Sequence, residues 1–227
     1  MTRIDPGTEK FIQENVQLMV DGNYDEVYRL AAAPHSGTRV STLTQALWNC
    51  DIHPELEGLT EIPATFAANL DLKTFRVPQG ITCIRDYAFY NCYSLSSVLI
   101  PEGVRSIGFS AFRSCSSLSS LDLPSEMSKI EGNAFWECDA LTSVTIPDGI
   151  KRIIGATFLS CGNLAVVRIP DSVISIGNKA FEECSRLVEI HYNGTKEQWK
   201  AIDKGKDWKK HVGSLKVHCT NGDIKYK

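Results

Sequence analysis

The sequence has no run approaching the roughly 20 apolar residues that cross a bilayer, and it has little net charge of either sign. Its 227 residues hold 24 Lys and Arg against 27 Asp and Glu, a formal net charge of −3. Without a global basic field, neither duplex nucleic acid nor an anionic membrane is an expected partner. The opening residues MTRIDPGTEKFIQENVQLMV are broken by Asp5, Glu9 and Glu14 and do not spell a secretory signal. With Met1 as the natural start, the expected location is the cytoplasm.

Catalytic spellings are equally scarce. There is no phosphate-cradling glycine loop of the Walker or Rossmann type, no H-E-x-x-H and no G-x-S-x-G. The histidines, His35, His53, His191, His211 and His218, are scattered. No C-x₂-C pair offers zinc its usual converging thiolates, and the spacing of His211, His218 and Cys219 fits no known finger. The expectation is therefore a chain without enzymatic activity, metal, cofactor or small-molecule substrate.

What the sequence has in abundance is self-similarity. Pro78, Pro101, Pro124, Pro147 and Pro170 recur every 23 residues, each after an apolar residue. In phase with them run Phe66, Phe89, Phe112, Phe135, Phe158 and Phe181, then Leu72, Leu95, Leu118, Leu141, Leu164 and Leu187. Ile84, Ile107, Ile130, Ile153 and Ile176 form a further column, which Ile62 begins one residue out of phase. Five of the eight cysteines, Cys92, Cys115, Cys138, Cys161 and Cys184, share the same phase and read as buried, reduced small hydrophobes. A period of 20 to 50 residues is the mark of a solenoid or propeller, whose units bury their apolar faces against each other.

Within each unit, segments such as LSSVLIP (95–101) alternate at period two, so Val98 and Ile100 should face inward from a short strand that the proline ends. The return path from GVRSIG to AFRSC is expected to be a second short extended piece and then one helical turn around the Phe. Stacked coils then give a parallel sheet along one side, with strands about 4.8 Å apart.

The unit x-Ile-Pro-x-Gly-Val-x-x-Ile-Gly-x-x-Ala-Phe-x-x-Cys-x-x-Leu-x-x-Val resembles the BspA-like class of leucine-rich repeats. The resemblance covers residues 61–192. The tail, NGTKEQWKAIDKGKDW followed by VHCTNGDI, is similar to the module that closes such proteins in anaerobic Gram-positive gut bacteria and their phages. The fold class expected is α+β: a leucine-rich-repeat solenoid of six 23-residue coils over 61–192, an N-terminal helical cap over 1–60 and a small C-terminal cap over 193–227. Three short helices are expected within 5–58. Thr195 and Gln198 spell a capping box for a brief helix whose Trp199 and Ile202 lie on the last coil, with Trp208, Leu215 and Val217 completing the plug. Asn193-Gly194-Thr195 reads as a turn and helix cap rather than a glycosylation site. The ends differ in charge: residues 1–60 hold nine acids and four bases, residues 193–227 nine lysines and four acids.

Function is then sought on the surface. Beside the Ala-Phe pairs, at positions expected to face solvent, stand Tyr87, Tyr90, Phe109, Trp136 and Leu159; rigid aromatics of this kind form interface centres. On the sheet face, Arg76, Leu99, Arg168 and His191 are further candidates for partner contact. The function expected is a non-catalytic protein-binding module. Its preferred form is a phage-encoded inhibitor of a host protein complex, such as a defence system in the anti-CRISPR manner. A cell-surface or virion adhesin is the alternative, and a chaperone-like assembly factor a third.

Overall fold

A computed structural model describes residues 59–227 together with Lys10. The helices expected over 5–58 lie outside the described residues. From Leu59 onward the chain winds into a solenoid of about seven turns carrying three parallel ladders of backbone hydrogen bonds.

The first ladder contains the Leu-x-x-Val-x-Ile segments. Its strands are β2 (Thr74–Arg76), β4 (Ser97–Leu99), β7 (Ser143–Thr145), β9 (Val166–Ile169), β11 (Glu189–Tyr192) and β13 (Leu215–Cys219). Pairing is parallel and in register with the repeat, as in Phe75↔Val98 and Val144↔Val167. Val98 and Ile100 point inward as expected, while Leu99 between them is 51% exposed. The ladder is not continuous, however. In the third coil, residues 118–124 form no strand, so β2 and β4 make one sheet and β7 onward another. This is the coil in which Leu121 and Leu123 replace the β-branched Val and Ile of LSSVLIP and LTSVTIP and Asp122 stands between them, and Asp is among the poorest strand formers. A shallow cleft of about 230 Å³ lies between Ser119–Leu123 and Thr142–Thr145.

The second ladder uses the Ile column. Here β1 (Glu61–Ile62), β3 (Cys83–Ile84), β5 (Ser106–Ile107) and β6 (Lys129–Ile130) form one sheet. A second is formed by β8 (Arg152–Ile153), β10 (Ser175–Ile176) and β12 (Asp203–Lys204).

The third ladder replaces the expected helical turn. Around each Phe the chain makes successive tight turns, and residues four apart adopt left-handed backbone: Tyr87 and Asn91, Ser110 and Ser114, Asn133 and Glu137. Positive φ is incompatible with a right-handed helix. Alternate N–H groups instead reach the next coil, Phe89 N to Ala111 O at 2.7 Å and Asn91 N to Arg113 O at 2.9 Å. Those between them close local turns, as Tyr90 N does on Tyr87 O at 3.1 Å. Stacking thus supplies the backbone partners that a lone coil would lack.

Side chains fill the bore in columns. The rings of Phe89, Phe112, Phe135, Phe158 and Phe181 lie parallel to within 10° at centroid spacings of 5.0–5.6 Å, all fully buried. Edge-on rings end the stack, Phe66 at one side (71°) and Trp208 at the other (81°). Each repeat cysteine is 0% exposed, and from Cys115 onward its Sγ donates to the carbonyl of the Phe one coil earlier, as in Cys138 to Phe112 O at 3.2 Å. Burial pushes the thiols up, to about 12 for Cys92 and Cys184. The described cysteines are all free, the five that share the repeat phase among them.

The C-terminal segment is more than a plug. After α1 (Lys196–Ala201) it rejoins the ladders as a seventh, longer coil: β12 pairs with β10, Phe181 N donates to Trp208 O, and β13 pairs with β11. Only β14 (Gly222–Tyr226), antiparallel to β13, ends the sheet. Thr195 caps α1 through the reciprocal box with Gln198, and Trp199 is wholly buried, its Nε1 donating to Tyr226 Oη at 2.9 Å.

Candidate functional site

The column immediately after the Phe column holds Tyr90, Arg113, Trp136, Leu159 and Glu182, each one coil from the next. Because Phe89, Phe112 and Phe135 point into the bore, the following side chains emerge on the outside of the turn ladder, one coil spacing apart. The Arg113 guanidinium lies 3.5 Å from the Trp136 ring centroid and 5.7 Å from that of Tyr90. A delocalised cation over aromatic faces is attracted by their quadrupoles. Its Nε is buried without a hydrogen-bond partner among the described residues, so ring contact is what holds the group there.

Tyr87 and Phe109 extend this ridge sideways. Tyr87 meets Tyr90 edge-on at 5.8 Å and Phe109 at 5.6 Å. These two outer rings are each 38% exposed, whereas Tyr90, Trp136 and Leu159 are half-buried. The expectation that all five face solvent is corrected: Tyr90, Trp136 and Leu159 are only partly exposed, and the first two flank Arg113. What remains is a preorganised aromatic surface whose side chains have little freedom left to lose on contact with a partner. Further along, the buried Glu182 is held by the Lys179 ammonium at 3.0 Å, which keeps its carboxyl below the ordinary range.

Arg113 was not singled out by sequence, although it stands in the same column as Tyr90 and Trp136. A search for aromatics passes over a cation; reading down the column would have found it. Tyr93, 56% exposed, was also missed.

The sheet-face residues do not join the ridge, because they belong to the first ladder. They form two separate pairs: Arg76 beside exposed Leu99, and Arg168 beside half-buried His191. The interrupted third coil and the cleft lie between the pairs. His191 stacks on His218 of the next strand, with centroids 4.8 Å apart. No helix among the described residues is long and apolar enough to cross a membrane.

Comparison with known proteins supports the same architecture. The family model for the BspA type leucine rich repeat region matches residues 58–198 in six copies. A leucine rich cell surface protein of Faecalibacterium prausnitzii is 36% identical over 59% of the chain, with a TM-score of 0.56. The chain spans about a third of that protein's length, 35%. A leucine rich repeat protein of Treponema pallidum is 28% identical with a TM-score of 0.60, the match covering 66% of this chain and 69% of the other. A repeat protein of Eubacterium ventriosum, 16% identical over 73% of this chain and 50% of its own, shares the fold with a TM-score of 0.52. No protein of curated function matches the sequence.

Proposed function

The chain belongs to the BspA-type leucine-rich-repeat family, and on that footing we propose that it is a non-catalytic protein-binding module whose contact surface centres on the Tyr90–Arg113–Trp136 ridge. Repeat domains of this class generally act by protein recognition, and the rigid aromatic and arginine side chains of the ridge are those that dominate interface energetics. The observation that carries the reading is the guanidinium sandwiched between two half-buried rings on the outside of an otherwise uniform stack.

Two settings suit such a module. Display at a cell or virion surface as an adhesin is favoured by the 36% identical relative, itself described as a cell surface protein. Action in a host cytoplasm as a phage-encoded inhibitor of a defence complex is the reading drawn from the sequence. Fractionation of the natural source separates them: protein on the exterior or in purified virions supports adhesion, and a soluble internal pool supports inhibition.

The binding reading is tested by retaining proteins of the natural host on the immobilised chain, alongside a Tyr90→Ala, Trp136→Ala double variant. The expected outcome is a defined protein held by the wild-type chain and released from the variant, with matching far-ultraviolet circular dichroism for both. Equal retention would reject the ridge as the contact surface.

A further inference from the structure

From the face of the last two parallel strands, we propose a divalent transition-metal site formed by Glu189, His191 and His218. Glu189 and His191 are two apart on β11, so the pleat puts both side chains on one side of the sheet. His218 is the register partner of His191 on β13 and therefore presents its ring to the same side. The sequence offered no such site, because His218 lies 27 positions beyond His191 and only the in-register pairing of two coils brings them together.

The distances suit a shared ion. Glu189 Oε2 is 3.2 Å from His191 Nε2, and Glu189 Oε1 is 3.8 Å from His218 Nε2. One ligand atom from each of the three residues falls within 4.8 Å of the others. A tetrahedral ion with arms of 2.0–2.1 Å holds its ligand atoms about 3.3 Å apart. The two rings stack at 16° from parallel, so binding requires them to turn out of the stack until both in-plane lone pairs meet at the ion beside Glu189.

The arrangement behind the ligands points the same way. Asp223 Oδ1 lies 3.0 Å from His218 Nδ1, and Lys216 Nζ holds Asp223 Oδ2 at 2.9 Å. A carboxylate on one imidazole nitrogen fixes the tautomer that leaves the other nitrogen's lone pair free for a metal. That nitrogen, His218 Nε2, is buried and has no hydrogen-bond partner among the described residues. Such an atom needs a partner, and a cation held jointly with Glu189 would be one. The flanking cations do not block it: Lys216 is neutralised by Asp223, and Arg168 beside His191 is open to solvent.

Two imidazoles and one carboxylate suit Zn(II) and its first-row neighbours rather than Mg(II) or Ca(II), which take oxygen donors. With three ligands from the chain, a fourth position faces outward for water or a partner's side chain. Bound metal would also pin β11 to β13, the junction between the repeat array and its last coil.

Titration of the full chain, freed of metal, with Zn(II) and Co(II) tests the assignment. The expected result is one equivalent bound, a visible Co(II) ligand-field band without thiolate charge transfer, and a rise in Tm with Zn(II). Glu189→Gln, which preserves shape, and His218→Ala should each abolish the band and the Tm rise. Asp223→Asn should weaken affinity by about 10- to 100-fold. No stoichiometric binding by the wild-type chain, binding unchanged in both ligand variants, or a charge-transfer band reporting Cys219 would each overturn the site.

Discussion

Two neighbouring columns of this solenoid, one residue apart in every coil, differ in kind. Phe89, Phe112, Phe135, Phe158 and Phe181 are identical, parallel and buried. Tyr90, Arg113, Trp136, Leu159 and Glu182, beside them, are five different residues, aromatic, cationic, aliphatic and acidic. Each Phe faces its own copies, so the best neighbour for a ring is another ring at the same height. The outer column lies at the margin of the stack, half-buried except at the buried Glu182, and ring stacking does not dictate what it must be. In a repeat of this kind, uniformity down a column marks what holds the coils together, and variety marks where recognition can be written.

Substitution of adjacent residues is the strongest way to break that contrast. Phe135→Ala removes a ring stacked at 5.6 Å on Phe112 and 5.5 Å on Phe158. Its closed surroundings cannot collapse into the space, so a loss of about 3–5 kcal/mol is expected. Trp136→Ala removes a ring of similar size from a half-buried site, where the principal loss is contact with Arg113, and about 1 kcal/mol is expected. Urea midpoints of the two variants measure the difference. Equal losses would mean that the outer column is part of the core.

The cysteine column sharpens the contrast from the inside. Burial lifts the thiols of Cys92 and Cys184 to about 12. The unfolded chain releases those protons near the ordinary thiol value, so above it the folded state holds more protons than the unfolded one. Stability is therefore fully present at neutral pH and falls as pH rises from about 9 toward 12, by about 1.4 kcal/mol per pH unit for each thiol still protonated. The measurement is Tm against pH for the wild-type chain and Cys184→Ala, the variant showing the shallower alkaline decline. Identical slopes would show that the column does not cause the decline.

How much of this was legible in the residues follows from the same contrast. The repeat, its phase and the inward Val98 and Ile100 could be read directly, because each follows from a local rule repeated many times, and the Thr195 cap because its box with Gln198 lies within four residues. The turn ladder could not. A helix and a run of tight turns place the Phe similarly, and only the left-handed backbone at Tyr87 and Asn91 separates them; neither residue advertises it as a glycine would. The missing strand in the third coil was spelled by Leu121-Asp122-Leu123 but hidden by an unbroken period. The C-terminal coil reads as a plug because inserted α1 throws its phase out, although Trp208 stands where the next Phe would be. On the surface, the aromatics of the ridge were found and the cation between them was not. The pairing of His191 with His218 depends on register between coils of unequal length, which no fixed period reveals.

The smallest effect expected is also the most direct probe of how the outer column is organised. Arg113→Lys retains the charge but loses the planar group that lies 3.5 Å from the Trp136 centroid, and a compact, strongly hydrated ammonium does not stack in its place. A fold held by the Phe stack should tolerate this change with a loss under about 1 kcal/mol, the range of an exposed cation–π contact. A double-mutant cycle with Trp136→Ala isolates the pair: the two changes together should cost less than their separate sum by about 0.5–1 kcal/mol, because either one alone already removes the contact. Strict additivity would mean that ring and guanidinium stand side by side without holding each other, and the ridge would then not be the preorganised surface that its geometry describes.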